Sequence, residues 1–332
     1  MFNRRYFLVT LGAGSLINTF PTAFPSLAQQ AGKIRVIGYL SPSAQPTLRD
    51  EVFTKGLREL GWIEGQNLRI EFRRGANNTT RLVELATELE NLKVDVLVVS
   101  YTPAVADVIK AKISVPVISI SGDPVGNGFV KSLGRPGGNI TGISLMAPDL
   151  AGKRLELLRE ISPRISRVAF LGYAPDPSHK IFLRELEDAA RSVKPPVQVH
   201  AAIVSSTEEL PQAFEGIRKA RAEALIVQPL FVNALGHGPR VLELAAKLRL
   251  ATVSDGDNFA EIGGLAFYGA DPLAIYQRLA YYADRVLKGT NPAELPIEQP
   301  RKFLLVVNMK IAKQLGLKVP QTVLLRAEKV ID

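Results

Sequence analysis

The sequence contains no cysteine, which excludes disulfides, thiol catalysis and a lipid anchor attached to cysteine. It has only three histidines, His179, His200 and His237, and none of them forms a metal-ligand or nucleophile–base pattern with the acidic residues. The motifs of serine hydrolases, zinc proteases, ATPases and dinucleotide-binding proteins are all missing. After the N-terminal region, no apolar run reaches the roughly 18 residues of a membrane span. We therefore expect no metal, no cofactor and no catalytic residues.

Charged residues are plentiful but are not concentrated in one place. Hydrophobic residues make up 46% and charged residues 22% of the 332 positions, which is typical of a globular protein. The formal net charge is +9, yet basic pairs such as Arg73-Arg74 and Lys153-Arg154 are far apart. No zinc-finger spacing or basic-aromatic motif accompanies them. We therefore expect a basic solvated surface and no nucleic-acid partner.

The N-terminus has the pattern of an export signal. Arg4-Arg5 precede an apolar run over residues 7–17, and Ser26-Leu27-Ala28 supplies small residues for cleavage. The arginine pair indicates the twin-arginine route, and the general secretion route is the alternative. Residues 1–28 are predicted to be a signal peptide cleaved near Ala28, which makes the mature chain periplasmic.

The remaining sequence alternates apolar strands with amphipathic helices, which predicts an α/β fold. The first half is predicted to contain strands at residues 33–40, 68–73, 94–100 and 115–120, with helices at 47–60, 79–92 and 102–111. The pattern starts again near residue 151, so we expect two Rossmann-like lobes with parallel sheets, joined by a hinge of several segments. The N-terminal lobe is predicted to comprise 33–145 and about 271–299, and the C-terminal lobe about 146–270 and 300–332.

A glycine-rich segment follows the fourth predicted strand. Residues 120–144 contain seven of the chain's 26 glycines, together with Asp123-Pro124 and Arg135-Pro136. Glycine permits unusual backbone angles and proline fixes one, so we predict a shaped loop. Ligands of open α/β sheets bind beyond the carboxyl ends of strands, which is where this segment begins.

A set of short motifs occurs in and after this segment. They are Asp123-Pro124-Val125, Gly128, Ser132-Leu133, Arg135-Pro136-Gly137-Gly138-Asn139, Thr141-Gly142, Gly263-Gly264-Leu265, Tyr268-Gly269, Leu287-Lys288-Gly289, Leu295-Pro296, Gln299-Pro300, Phe303, Asn308 and Ala312 to Gly316. In this order the motifs resemble those of one family, the ABC-transporter substrate-binding proteins related to tryptophan- and tyrosine-binding transport proteins. The resemblance implies a type I periplasmic-binding-protein fold that closes on a small polar solute, such as an amino acid or related carboxylate. It also implies delivery to a membrane permease driven by a separate ATPase.

Two other functional classes remain as alternatives. One is an enzyme outside the cytoplasm that acts on a small carboxylate, for which the scattered acidic residues and histidines would have to supply the chemistry. The other is a ligand-sensing domain without a transport role, although a regulator would need a DNA-binding headpiece where the export signal stands. For the receptor itself we expect a monomer, because a clamshell of this kind needs no partner to fold.

Polar residues at predicted strand ends are the candidate ligand contacts of the first lobe. Thr102 has N-cap chemistry, so it either caps its helix or leaves neighbouring N–H groups free to bind a carboxylate. Asp123 either accepts a hydrogen bond from the ligand or braces its own loop, and we favour the bracing role. The candidates are Ser41, Ser43, Ser100, Tyr101, Thr102, Ser121 and Asp123.

Tyr173, Pro229, Asp255 and Asp257 are the candidates from the second lobe. Tyr173 could stack on a ligand, whereas Asp176, just before a helix, is predicted to act as a cap. Asp255 and Asp257 either balance a ligand ammonium group or face solvent. The family more usually has aromatic residues there, which argues against an aromatic amino acid as the ligand. We expect Thr102→Ala and Asp255→Ala to weaken binding and leave the fold intact.

Overall fold

The structure, a computed structural model, describes residues 34–76, 78 and 81–332. The predicted signal peptide lies outside these residues. Among the helices of the described part, none has the length and apolar character needed to cross a membrane.

Twelve strands in the described residues form two sheets, and the two-lobed α/β fold is confirmed. The first sheet has the order β2-β1-β3-β4-β5 and is parallel throughout. Its strands are β1 (Arg35–Ser41), β2 (Leu68–Arg74), β3 (Val96–Ser100), β4 (Val117–Ser121) and β5 (Ile140–Ser144). The second sheet has the order β12-β11-β10-β9-β8-β6-β7, and its β10–β11 pair is antiparallel. Its strands are β6 (Arg167–Tyr173), β7 (Gln198–Val204), β8 (Ala224–Val227), β9 (Ala251–Ser254), β10 (Ala266–Ala270), β11 (Phe303–Asn308) and β12 (Lys329–Ile331).

Helices cover both faces of each sheet, because strands such as β3 and β4 are buried along their whole length and must be covered on both sides. The helices are α1 (Leu48–Glu59), α2 (Leu82–Asn91), α3 (Thr102–Lys110), α4 (Ala151–Ile161), α5 (Ser178–Ser192), α6 (Leu210–Lys219), α7 (Leu230–Asn233), α8 (Gly238–Lys247), α9 (Pro272–Leu287), α10 (Met309–Leu315) and α11 (Gln321–Leu324). On the first sheet, α2 and α3 pack on one face and α1 and α9 on the other. On the second sheet, α4, α5, α10 and α11 oppose α6, α7 and α8.

The prediction of a loop over all of residues 120–144 is wrong at its end, where β5 forms. Gly142 lies in that strand with a φ of +135°, and a Cβ there would come within 2.0 Å of the Ser119 carbonyl oxygen. Glycine is thus required for the close approach of β5 to β4. In the sequence Gly142 looks like a turn residue, but it belongs to a strand. Strand β10 was not predicted either, because it follows Gly263-Gly264 and contains Gly269, and β12 was missed because it has only three residues at the chain end.

The start of α1 matters for the site because it fixes Arg49 in the first helical turn. Thr47 and Asp50 form a capping box, in which each side chain accepts the other's backbone N–H. Arg74 of β2 donates to Asp50 at 2.9 Å. The first turn is therefore anchored to the first sheet.

Candidate ligand-binding cleft

A buried cavity lies between the carboxyl ends of the strands of the two sheets, and we call it the inner cavity. The space between its walls amounts to about 850 Å³ when the part open to solvent is included. Its walls are Arg49, Ser100, Tyr101, Thr102, Ile120, Ser121, Gly122, Leu145, Ala147, Asp176, Ser178, Phe182, Gln228, Pro229, Leu230, Asn233, Asp255, Asp257, Ala270, Pro272, Ile275 and Tyr276. Both lobes contribute to it, as the location at strand ends predicts.

The N-terminus of α3 forms part of the first-lobe wall. Thr102 is the first helical residue and not the cap, because Tyr101 takes the N-cap position with a φ of +78°. The Thr102 hydroxyl instead accepts the Gly122 N–H at 3.0 Å and the Ser178 hydroxyl at 3.4 Å. In the part of the chain that the structure describes, the N–H groups of Thr102 and Ala104 donate to no other group. They are therefore available to an anion at this helix end, where Thr102 lines the cavity.

Ser121 lies beside this helix end, at the carboxyl end of β4. It is 1% exposed, and its Oγ has no hydrogen-bond partner among the described residues. A buried polar atom left in that state costs about 1–3 kcal/mol. Since it lines the inner cavity, a ligand could satisfy it.

Asp176 lies at the start of α5 in the second-lobe wall. It accepts the Ser178 N–H at 2.9 Å and the Gln228 side-chain N–H at 2.7 Å. Neither lysine nor arginine pairs with it among the described residues. Burial raises the pKa of its carboxyl to about 7, against the lowering effect of the hydrogen bonds from Ser178. Pro177 and not Asp176 takes the N-cap position of α5, although Asp176 accepts the N–H of the first helical residue, Ser178. Asp176 is also a cavity residue.

Asp255 forms a buried ion pair with Arg154 of α4. The Nη2–Oδ2 distance is 2.9 Å, and the Arg154 side chain is completely buried. Arg154 also donates to the backbone oxygens of Tyr268 and Ala147. Burial raises the pKa of the Asp255 carboxyl, and Arg154 acts against that rise. The other carboxylate oxygen of Asp255 has no hydrogen-bond partner in the described part of the chain, although it is buried.

Asp257 pairs with Arg49, so the two acids that the sequence places together have different cationic partners. Arg49 Nε and Nη2 both contact Asp257 Oδ2, and Arg49 Nη1 donates to the Tyr101 hydroxyl. The guanidinium also lies 5.7 Å from the ring centroid of Tyr276. Since α1 packs on the first sheet and Asp257 follows β9 of the second, this contact joins the lobes. The alternative in which the acids face solvent is wrong for Asp255, whose side chain is 8% exposed, whereas the side chain of Asp257 is 22% exposed.

The structure brings most of the predicted site residues together in the inner cavity and places four elsewhere. Those in the inner cavity are Ser100, Tyr101, Thr102, Ser121, Pro229, Asp255 and Asp257. Ser41 and Ser43 line a neighbouring cavity. Asp123 accepts the Gly126 N–H at 2.8 Å, which is the predicted bracing role. Tyr173 is buried against Phe231 in the second-lobe core, because its strand turns that side chain away from the cleft.

Sequence reasoning missed Arg49, Phe182 and Tyr276 as cavity residues. The sequence contains a weak indication of the role of Arg49. A cation in the first turn of a helix interacts unfavourably with the helix dipole, so another interaction is expected to stabilise it there. Phe182 and Tyr276 belong to helices, where their spacing looks like ordinary core packing. With Tyr101, they give the cavity three aromatic walls, and both acids already have arginine partners. The acidic pair therefore gives no argument against an aromatic ligand.

Two α/β lobes with a cavity between them that polar and aromatic side chains line define a solute receptor of the type I periplasmic-binding-protein fold. The sequence pattern of ABC transporter substrate binding proteins matches residues 33–331, so the chain belongs to that family.

Three relatives illustrate the likeness. The tyrosine-binding protein of Clostridioides difficile (strain R20291) is 26% identical over 274 residues, which cover 80% of this chain and 76% of that protein. A structure described as the ABC domain in complex with L-Trp from Streptococcus pneumonia is 27% identical, with a TM-score of 0.82 over 90% of this chain and 99% of the other. A conserved domain protein from Vibrio cholerae O1 biovar eltor is 24% identical, with a TM-score of 0.81 over 90% of this chain and 100% of the other, and shows the shared fold.

Proposed function

We propose that the chain binds an amino acid or a related small carboxylate in the inner cavity. One observation carries this proposal: two buried polar atoms without partners among the described residues, Ser121 Oγ and Asp255 Oδ1, line the cavity from opposite lobes. A hydroxyl can donate to a carboxylate, and a carboxylate oxygen can accept from an ammonium group. A ligand that contacts both lobes favours their closed arrangement.

The ligand carboxylate is assigned to the first-lobe wall. The free N–H groups of Thr102 and Ala104 lie at the positive end of α3, and Ser121 lies beside them at the end of β4. Thr102 holds this corner together through Gly122 and Ser178, so its hydroxyl supports the wall rather than the ligand.

The ligand ammonium is assigned to Asp176 and Asp255. Asp176 pairs with no cation in the described residues, and a ligand ammonium would supply the missing positive charge. Asp255 uses one oxygen for Arg154 and leaves the other free. Asp257 is less suited because Arg49 already occupies it.

We further propose an aromatic amino acid as the ligand. The rings of Tyr101, Phe182 and Tyr276 line the inner cavity and would pack against an aromatic side chain. The tyrosine-binding relative and the relative complexed with L-Trp support the same choice.

Family membership supports a proposed role in transport, in which a monomeric periplasmic receptor delivers its solute unchanged to a permease. We keep the predicted lobes, residues 33–145 with about 271–299 and about 146–270 with 300–332, as part of this proposal. The packing of α9 on the first sheet and the pairing of β11 in the second support it.

A thermal-shift screen of residues 29–332 tests the proposal. The panel contains the amino acids, aromatic acids, small carboxylates, nucleosides and sugars, and the protein is first unfolded and refolded to remove any bound solute. We expect aromatic amino acids to raise the melting temperature, because a ligand at a hundred times its Kd stabilises the folded state by about 2.7 kcal/mol. Shifts from sugars or nucleosides alone, or recovery of a chemically changed compound, would contradict it.

A further inference from the structure

A second cavity lies beside the inner cavity, and we call it the outer cavity. The two share the wall residues Arg49, Tyr101, Asn233, Asp257, Pro272 and Tyr276. The outer cavity opens at the surface, since Leu48 and Leu273 in its lining are 59% and 41% exposed. The inner cavity, by contrast, is lined mostly by buried side chains. The shared wall therefore stands between the inner cavity and the outer cavity.

Arg49 is the part of this wall that reaches from one lobe to the other. Its guanidinium contacts Asp257 of the second lobe and the Tyr101 hydroxyl of the first. Asp257 is held in turn by its backbone N–H, which donates to Asn233 Oδ1 at 2.8 Å. Removing this one side chain would remove both of these contacts across the shared wall.

Ser178 makes further contacts between the lobes at the inner cavity. Its hydroxyl accepts from Asn127 at 2.9 Å and contacts Thr102 at 3.4 Å. These groups do not line the outer cavity. The boundary between the two cavities is therefore formed by Arg49 and the other residues of the shared wall.

The two arginine–aspartate pairs of the cleft differ in how readily they can separate. The Arg154–Asp255 pair is 0% and 8% exposed, and Arg154 has two further backbone partners. The Arg49–Asp257 side chains are 14% and 22% exposed, and both border the outer cavity. Water can therefore solvate the Arg49 pair as it opens, whereas separating the other would leave bare charges in the core.

We propose that the Arg49–Asp257 pair is the partition that a ligand must open to pass from the outer to the inner cavity. The pair also limits the ligand to one that fits wholly inside the inner cavity, which makes Arg49 a specificity-determining residue. This inference deepens the proposed function by naming the entrance and the size limit of the same site.

The absence of cysteine allows a test that needs no ligand. Ala147→Cys places one thiol in the inner cavity, and Ser43→Cys places one in the outer cavity for comparison. Their reaction rates are measured with a small and a bulky methanethiosulfonate reagent, with and without Arg49→Ala. We expect Arg49→Ala to speed the reaction at position 147 about tenfold, with a larger gain for the bulky reagent, because local opening controls access. The rate at position 43 should stay within about twofold.

Two further variants keep the test decisive. Arg49→Ala/Asp257→Ala removes the acid that the single variant leaves unpaired, and it serves if the single variant is unstable. Arg240→Ala, from an exposed pair with Glu243 on α8, is the matched control and should change neither rate. Equal rates at position 147 with and without Arg49, in folded protein, would overturn the proposal. Protection of that thiol by an amino acid is a separate result, so failure of the proposed function can be distinguished from failure of the partition.

Discussion

Replacing Asp255 with alanine is expected to lower the free energy of unfolding by about 3–5 kcal/mol, because it leaves a buried arginine without its counter-ion. Arg154 is completely buried, and burial already lowers the pKa of its guanidinium despite the nearby carboxylate. This corrects the expectation that Asp255→Ala leaves the fold intact. From the sequence, Asp255 lies at a strand end like any exposed ligand contact, and its partner is 101 positions away.

Urea unfolding of the mature chain checks this expectation. Asp188→Ala is the control, because its pair with Arg191 is more than half exposed on both sides and should be worth less than about 1 kcal/mol. Arg154→Met/Asp255→Leu removes both charges and should recover most of the lost stability. A loss for Asp255→Ala no larger than that of the control would show that the pair does not hold the lobe together.

Asp176 is expected to make the stability of the ligand-free protein fall as the pH rises from about 4 to about 7. The pKa of its carboxyl is about 7 in the folded state, above the ordinary value of 3.8. Below about 4 the group is protonated in both states. Above that pH the unfolded chain releases its proton first, so the folded state binds more protons and loses stability until the pH passes about 7. The whole difference is on the order of 4 kcal/mol.

The free energy of unfolding, measured by urea at several values between pH 4 and pH 8 for wild type and Asp176→Asn, tests this dependence. Asparagine does not titrate, so the free energy of unfolding of the variant should rise relative to that of the wild type as the pH rises. The altered hydrogen bond to Gln228 is expected to add a difference in the free energy of unfolding that is the same at every pH, and this constant difference does not bear on the test. If the whole difference between the two proteins is the same at every pH, Asp176 does not carry the raised pKa. An amino acid that pairs its ammonium with Asp176 should reduce the slope.

Much of the fold follows from the sequence because buried parallel strands are nearly continuous apolar runs. The strands β3 and β4 are of this kind, and the helices between them show clear amphipathic spacing. Strand β5 was not predicted because Gly142 looks like a turn residue in the sequence. Glycine is required there by the close approach of β5 to β4. Pairing of β10 with β11 could not be foreseen either, since their partner choice depends on long-range contacts.

The cavity residues follow a similar division. Those at strand ends, such as Ser121 and Asp255, could be predicted because topology gathers the ends of parallel strands at one edge. Ser41 and Tyr173 are also at strand ends but point elsewhere, since alternate residues of a strand face opposite sides. Arg49 and Tyr276 lie on helices and reach the cleft because their side chains are long. No local sequence pattern predicts the position of the far end of such a side chain.

The most direct test of the account is calorimetric titration of the refolded mature chain with L-tyrosine and L-tryptophan and with their truncated analogues. One analogue of each lacks the amino group and the other lacks the carboxylate. We expect one of the two amino acids to bind and both of its analogues to bind at least about 100-fold more weakly, because each leaves a buried charged or polar wall unpaired. Equal binding by an analogue without the amino group, or no binding by either amino acid, would contradict recognition of an aromatic amino acid between the two lobes.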